Sequence, residues 1–271
     1  MLPESTVEDW LREDLGHHDV TNEVPGETTG RLVAKEPGIV AGLDAACAVF
    51  EYLDVRAERA AAAGDRVESG GTVLRVAGPA REVLRGERVA VNLAGHASGV
   101  ATKTRRAVAA AREVDDAVTI AATRKTTPGL RGVEKRAVVA GGGDTHRLDL
   151  SHMVMVKDNH VAEMGLEGAV DHFRERASFA TKIEVEVERP EDAPLAADAG
   201  ADIVLLDNMT PDETAEAVAK LREHDDDTLA EASGGITVED VPDYAATGVD
   251  VISMGSLTHS ADTLDYSFRT G

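Results

Sequence analysis

From residue 115 to the C-terminus the chain repeats one pattern: a short β-branched run, then a stretch of helical periodicity. The runs are Ala117–Ala122, Met153–Val156, Lys182–Val187, Asp202–Leu206, Thr228–Ala232 and Val249–Ser253. Two of the helix starts are explicit. Thr210-Pro211-Asp212-Glu213 sets Pro at the first helical position inside a capping box, and Thr237-Val238-Glu239-Asp240 repeats the box without the Pro. Alternating βα units of this length imply a parallel sheet. Six strands are fewer than the eight of a complete barrel, so the expected fold class is α/β, an open (incomplete) α/β barrel, with a doubly wound sheet as the alternative.

The half that precedes this rhythm reads differently. Ser5-x-x-Glu8 forms a capping box ahead of Val7, Trp10, Leu11 and Leu15, which share one helical face. Short apolar runs such as Arg31–Ala34 and Thr72–Ala77 follow, punctuated by Pro37-Gly38, Gly64-Asp65 and Gly70-Gly71, and they predict strands and turns of a small β-containing domain. Glu87–Glu113 carries an Ala/Val/Arg pattern that predicts one long helix despite Gly95 and Gly99. The expected division is a 1–112 N-terminal domain including that bridging helix and a 113–271 barrel, with the C-terminal tail packing back on the N-terminal domain.

In a βα barrel the loops after the strands face one mouth, so the strand ends are where chemistry collects. In order they read Thr123-Arg124-Lys125, Lys157-Asp158-Asn159-His160, Glu186 with Glu188, Asp207-Asn208, Ser233-Gly234-Gly235 and Gly255-Ser256. Two tips are cationic, two anionic and two rich in Gly and Ser. From Thr123 to His160 seven Lys/Arg stand against four Asp/Glu, in a chain whose overall balance is 28 against 50. Excess positive charge in an otherwise acidic chain indicates a pocket for a polyanionic small molecule, with Arg124, Lys125 and Lys157 at its rim. His146 beside Arg147 reads as a hydrogen-bonding anion ligand. His146, His152, His160 and Asp149 have neither zincin nor finger spacing, so no transition-metal site is expected there. Ser233-Gly234-Gly235 and Gly255-Ser256 offer backbone N–H groups to a phosphate. Glu186 and Asp207 are candidates for Mg²⁺ coordination, for contacts to ribose hydroxyls or for stabilising a cationic transition state. Strand alternation puts Glu184 and Glu188 on the face of Glu186, and register alone does not choose among them.

A formal charge of −22 argues against nucleic-acid and anionic-membrane partners. With only seven lysines among the 28 cations, it suggests a salt-adapted, halophilic surface. Cys47 is the sole cysteine, which excludes an intrachain disulfide and fits a reducing cytoplasm. The longest uncharged stretch, Val89–Thr102, is shorter and more polar than a membrane span, and no signal peptide is visible.

Taken as a set, the strand-end motifs closely resemble the quinolinate phosphoribosyltransferase family. They are Thr123-Arg-Lys-Thr-Thr-Pro-Gly-Leu-Arg131, Gly141-Gly-Gly-Asp-Thr-His-Arg147, Val156-Lys-Asp-Asn-His160, Glu184-Val-Glu-Val187, Leu206-Asp-Asn208, Ala232-Ser-Gly-Gly235 and Gly255-Ser-Leu-Thr-His-Ser260. Upstream, Glu87-Arg-Val-Ala-Val-Asn92, Ser98-Gly-Val-Ala-Thr102 and Glu13-Asp-Leu-Gly16 fit as well. The resemblance implies an α/β sandwich-like N-terminal domain joined to an open α/β barrel, paired head to tail as a homodimer and in some members assembled into hexamers. It implies transfer of phosphoribose from phosphoribosyl pyrophosphate to quinolinate with Mg²⁺, giving nicotinate mononucleotide, pyrophosphate and CO₂, a step of NAD biosynthesis. By motif, Arg124, His146, Arg147 and Lys157 would hold the quinolinate carboxylates, with Arg88 contributed by the neighbouring subunit. Lys125 and Lys157 would face the pyrophosphate, and Glu186 and Asp207 the ribose and, directly or indirectly, Mg²⁺. Ser233, Gly234, Gly235, Gly255, Ser256 and His259 would form the 5′-phosphate site. Two competing readings are a paralogous transferase with another acceptor, and a non-catalytic nucleotide or dicarboxylate sensor.

Overall fold

The computed structural model describes residues 2–271, and the chain divides into two compact units. The first comprises residues up to 105, 128–142 and 260–271. Its strands β1 (Glu27–Ala34), β3 (Arg56–Arg59), β5 (Thr72–Pro79) and β12 (Tyr266–Thr270) form an antiparallel sheet in the order β12-β1-β5-β3, and β2 (Gly38–Ile39) pairs with β4 (Arg66–Val67) in a separate ribbon. Helices α1 (Glu4–Leu15), α2 (Leu43–Tyr52), α3 (Ala80–Arg112, whose last turns lie in the second unit) and α4 (Arg131–Gly141) complete it. Alternation on β1 and β5 sends Leu32 and Leu74, directly paired, into the core, where Phe50 of α2 stacks on Phe268 at 5.8 Å between ring centroids.

Two local expectations change here. α1 does not use the Ser5-x-x-Glu8 box: Pro3 occupies the N-cap position without a side-chain cap, and Ser5 already lies in the first turn. Pro3 supplies a preset φ of −62°, Glu8 turns to Arg12, and burial of Val7 and Leu11 fixes the helix. α3 begins seven residues before Glu87, because β5 runs straight into it and Val83 is buried in its first turns. Gly95 and Gly99 sit inside it as points of close approach: a Cβ on Gly99 would lie 1.9 Å from the Asp262 carbonyl oxygen, and Leu264 N–H donates to the Gly95 carbonyl.

The second unit, residues 106–127 and 143–259, holds the βα rhythm. Its strands are β6 (Thr119–Ala121), β7 (Val154–Val156), β8 (Ile183–Val187), β9 (Ile203–Asp207), β10 (Leu229–Ser233) and β11 (Val251–Ser253). Each falls within two residues of its expected start. All pair in parallel, in the order β6-β11-β10-β9-β8-β7. A closed ring would pair β6 with β7, whereas here Asp144 bridges Ala121 instead, so the barrel is open at that seam. Helices α5 (Asp158–Met164), α6 (Leu166–Arg174), α7 (Ala193–Asp198), α8 (Pro211–His224), α9 (Val241–Ala245) and α10 (Ser256–His259), with a 3₁₀ turn at Pro190–Asp192, fill the connections.

Ile183, Val185, Val204, Leu206, Ala230, Ala232 and Ile252 form the helix-covered core. The period of two then turns Glu184, Glu186, Leu205, Glu231, Ser233 and Ser253 to the concave side. The Thr210 box caps α8 as expected, Glu213 N–H donating to Thr210 Oγ1 and Thr210 N–H to Glu213. The Thr237 box does not cap a helix. Thr237 donates from its N–H and hydroxyl to Asp240, but only a turn follows, and α9 starts at Val241 after Asp240, with Pro242 in its first turn.

Candidate active site

The C-terminal ends of the six strands surround a cavity of about 400 Å³. Arg124 and Lys125 enter from the loop after β6, Lys157 from the N-cap of α5, Glu186 from the end of β8, Asp207 from the end of β9, and Ser233-Gly234-Gly235 from the end of β10. His146 and Arg147 come from the segment that bridges β6 at the open seam.

The Lys-Asp-Asn-His block positions its lysine through its histidine. Lys157 N–H donates to His160 Nδ1 at 3.0 Å, closing the first turn of α5, and the His160 ring packs edge-on against Phe173. Lys157 Nζ is thereby turned to Glu186, with which it forms a close ion pair. On the neighbouring strand Asn208 Nδ2 donates to Asp207 Oδ2 at 2.6 Å, and Asn208 N–H donates to the Ser233 carbonyl. Asn208 (φ +57°), Gly234 (φ +104°) and Gly235 (φ +66°) are all left-handed, so two loop tips interlock here. A Cβ on Gly234 would lie 2.4 Å from Asn208 Oδ1 and 2.6 Å from Asn208 N, which leaves no room for a side chain.

The cationic wall is partly desolvated. Arg147 is 8% exposed, and its guanidinium donates to Met155 Sδ at 3.1 Å. Burial lowers its pKa from the ordinary arginine value, and the charge of Glu184 opposes that. The Nε–H groups of both Arg124 and Arg147 are buried with no hydrogen-bond partner. A buried guanidinium donor left unmade is costly, so the pair defines a place for a bound anion.

His146 is held beneath this wall. Its N–H donates to Asp144, its φ is +50°, and its Nε2 lies 3.0 Å from Glu231 and 3.5 Å from Glu184, two carboxylates that are 1% and 0% exposed. Burial disfavours the charged ring, but the hydrogen bonds and charges of the two glutamates outweigh it and push its pKa up to about 10. Burial raises the Glu184 carboxyl, with the His146 bond opposing. His146 and Glu231 also line a second cavity at the N-terminal ends of the strands, so they form a floor between the two mouths.

Not every motif residue lines the cavity. A Cβ on Gly255 would touch Lys125 Cδ at 2.8 Å and His259 Cδ2 at 3.4 Å, so Gly255 and His259 lie against Lys125, just outside the lining. The Ser256 hydroxyl turns away to the Ile236 carbonyl. Arg88, on α3 of the first unit, is 60% exposed, with Glu87 at 3.7 Å, and is not among the residues lining the cavity. Glu231 was not singled out by sequence reasoning. Its signal was present: a lone charge in the middle of an Ala-rich strand, in phase with Ser233.

Glu186 and Asp207 offer hard carboxylate oxygens at adjacent strand ends, a donor set that suits Mg²⁺ shared with substrate phosphates.

Two family models match the chain: Quinolinate phosphoribosyl transferase, N-terminal domain, over residues 19–98, and the C-terminal domain of the same family over residues 100–269. A probable nicotinate-nucleotide pyrophosphorylase [carboxylating] of Methanothermobacter thermautotrophicus is 44% identical over 270 residues, covering 97% of each chain. The human nicotinate-nucleotide pyrophosphorylase [carboxylating] is 42% identical over 266 residues, 97% of this chain and 90% of that one. The solved nicotinate-nucleotide pyrophosphorylase from Francisella tularensis superposes with a TM-score of 0.92 at 30% identity, covering 100% of this chain and 98% of that chain.

Proposed function

This chain belongs to the quinolinate phosphoribosyltransferase family, and from that premise we propose that the barrel mouth joins quinolinate to phosphoribosyl pyrophosphate. The enzyme is a pentosyltransferase of NAD biosynthesis, forming nicotinate mononucleotide with release of pyrophosphate and CO₂. The observation that carries the acceptor's identity is the pair of buried, unpartnered guanidinium Nε–H groups of Arg124 and Arg147, next to Lys157. Adjacent carboxylates on one ring are what such a wall recognises, because a guanidinium fork matches a carboxylate in two bonds.

Arg124, Arg147, His146 and Lys157 hold the acceptor, so the ring nitrogen faces the anomeric carbon of the donor. Lys125 and Lys157 offset the charge of the departing pyrophosphate. Ser233, Gly234, Gly235 and Gly255 bind the 5′-phosphate, with His259 and Ser256 at the margin. Mg²⁺ would be held by Glu186 and Asp207 and would neutralise charge on the pyrophosphate. As that bond lengthens, positive charge grows on the ribose, and the carboxylates of Glu186 and Asp207 stabilise it. Glu186 already neutralises Lys157, so an incoming acceptor carboxylate that takes Lys157 leaves Glu186 for the ribose. Attack makes the ring nitrogen cationic, the carboxylate on the adjacent carbon leaves as CO₂, the electron pair of the broken bond stays on that carbon beside the cationic nitrogen, and a proton from solvent then takes it up. Most of the protein's contribution is therefore positioning.

The assembly is a homodimer, or a hexamer built from such dimers, in which Arg88 of one copy completes the acceptor site of the other. Among the described residues no helix is long and apolar enough to cross a membrane, and the protein works in the cytoplasm.

The test is product formation in KCl with Mg²⁺ and phosphoribosyl pyrophosphate, offering quinolinate and nicotinate separately. Nicotinate mononucleotide and CO₂ from quinolinate alone is the expected result. Product from nicotinate alone, or from neither with folded protein, would overturn the assignment.

A further inference from the structure

His146 stands on two carboxylates in the floor of a cavity that the functional reading fills with a dianion. Acidic groups under an anion site need an explanation. The geometry supplies one, resting on the reading of this cavity as a dicarboxylate site.

Imidazole has two nitrogens with different duties. Nε2 of His146 is committed to Glu231 at 3.0 Å, with Glu184 at 3.5 Å. Nδ1 is the remaining nitrogen for anything bound in the cavity. In the neutral ring whose proton sits on Nε2, Nδ1 carries a lone pair and repels a carboxylate. The other neutral tautomer carries its proton on Nδ1 but turns the Nε2 lone pair on the two carboxylates, so beside ionised glutamates only the imidazolium, with a hydrogen on both nitrogens, serves the floor and the anion together.

We propose that Glu184 and Glu231 are positioning residues that hold His146 doubly protonated, so that Nδ1–H donates to a carboxylate of the acceptor while Nε2–H is anchored in the floor. Both glutamates are buried on the concave face, on β8 and β10, flanking β9. Glu184 meets only the His146 ring, at 3.5 Å, and Glu231 Oε1 has no hydrogen-bond partner, so the shared cation is what compensates the two buried carboxylates. The raised pKa of His146 agrees.

The other charged groups around the ring do not supply this service. Asp144, on the same segment, accepts the backbone N–H. Arg124 and Arg147 act against a second proton, and Lys157 pairs with Glu186. The anchored ring also fixes the left-handed turn at φ +50° from which Arg147 projects, so the glutamates act on two acceptor ligands through one contact.

The test has two arms. The first uses the wild-type protein labelled with ¹⁵N-histidine, with His146→Gln to assign the signal. At pH 8, about two units below the raised pKa, the His146 ring should show both nitrogens protonated, and added quinolinate should shift the Nδ1 resonance. A neutral ring at pH 8, or an Nδ1 that ignores quinolinate while quinolinate binds, overturns the proposal without any variant. This arm reads the proton whether or not the protein turns quinolinate over, so failure of the functional reading shows separately, as absence of product.

The second arm is kinetic. Glu231→Gln and Glu184→Gln should raise KM for quinolinate by about tenfold at pH 8, recover part of that loss at pH 6, and change KM for phosphoribosyl pyrophosphate less than about twofold. Equal rises in both KM values, or a loss that does not respond to pH, mean a structural role and overturn it.

Discussion

The interlocked loop tips make adjacent glycines unequal, and the inequality can be measured. Gly234 and Gly235 both have positive φ, so alanine at either is strained. At Gly235 the added methyl meets nothing within 4 Å, and the cost is that of a left-handed alanine, about 1–2 kcal/mol. At Gly234 φ is +104°, and the methyl would lie 2.4, 2.6 and 2.7 Å from Oδ1, N and Cα of Asn208. Backbone strain of about 1–3 kcal/mol and overpacking of about 1–3 kcal/mol add, giving roughly 4 kcal/mol, unless the loop moves. Moving it displaces Asn208, whose side chain holds Asp207, and a shift near 1 Å at a reacting group costs about 10²-fold in rate. Thermal unfolding and steady-state kinetics should therefore separate the variants. Gly235→Ala should lower Tm by roughly 2–6 °C, and Gly234→Ala by roughly 10 °C, with KM for phosphoribosyl pyrophosphate raised at least about tenfold. Equal Tm losses, or a Gly234→Ala protein with wild-type Tm and KM, would refute the packing argument.

Other consequences follow from the same contacts. The Cys47 thiol is pushed up to about 11, first by burial and then by Glu51, so about one molecule in 10³ is thiolate at pH 8; Ellman's reagent should react only on unfolding, and fast labelling of the native protein contradicts this. The pKa of His146 is raised on folding, from 6.5 to about 10, so its stabilisation is complete below about pH 6.5, declines above that, and is gone once pH passes about 10. The Tm advantage of wild type over His146→Gln should shrink steadily across that window, and a constant difference would count against a charged ring. Arg88→Ala and Lys157→Ala should each be inactive alone yet regain activity when mixed, through hybrid sites; no recovery despite proven subunit exchange argues against a shared site.

The strand rhythm was readable because each β-branched run has helix-facing residues that must be buried, and burial follows local sequence. The six strands appear where the runs stand. Their ends shift for local reasons, as where Ala117 N–H is held by Asp115 Oδ1 and β6 starts only at Thr119. Helix starts proved less readable. Ser5 and Thr237 each head a box pattern, but Pro3 sets one start and Pro242 sits at the other, since a preset φ competes with a side-chain cap. The choice between Glu184 and Glu186 could not come from periodicity, which gives both the same face. It comes from depth: one residue turns under the floor to His146, and the other reaches Lys157 at the rim. The His146–Glu231 contact joins residues 85 positions apart, and it depends on which strands flank β9, a property of ring order that no local pattern carries.

Charge inside the mouth is nearly balanced, and that balance bears on what the site needs in order to work. Arg124, Lys125, Arg147, Lys157 and the imidazolium of His146 face Glu184, Glu186, Asp207 and Glu231. Five cations against four carboxylates leave the cavity close to neutral by itself in a chain of net charge −22, because a larger excess would be self-repelling once desolvated. The same balance falls short of a ligand pair that brings two carboxylates and three phosphate groups. Extra positive charge must then arrive with the ligands. On the proposed reading Mg²⁺ would bring it with the pyrophosphate, and Arg88 of a second copy, exposed and weakly paired in a single chain, would bring it to the acceptor. On that reading a near-neutral cavity would make affinity depend on both the metal and assembly. Quinolinate affinity should rise when Mg²⁺ and phosphoribosyl pyrophosphate are already bound, and Arg88→Ala should weaken quinolinate while leaving the donor's affinity in place.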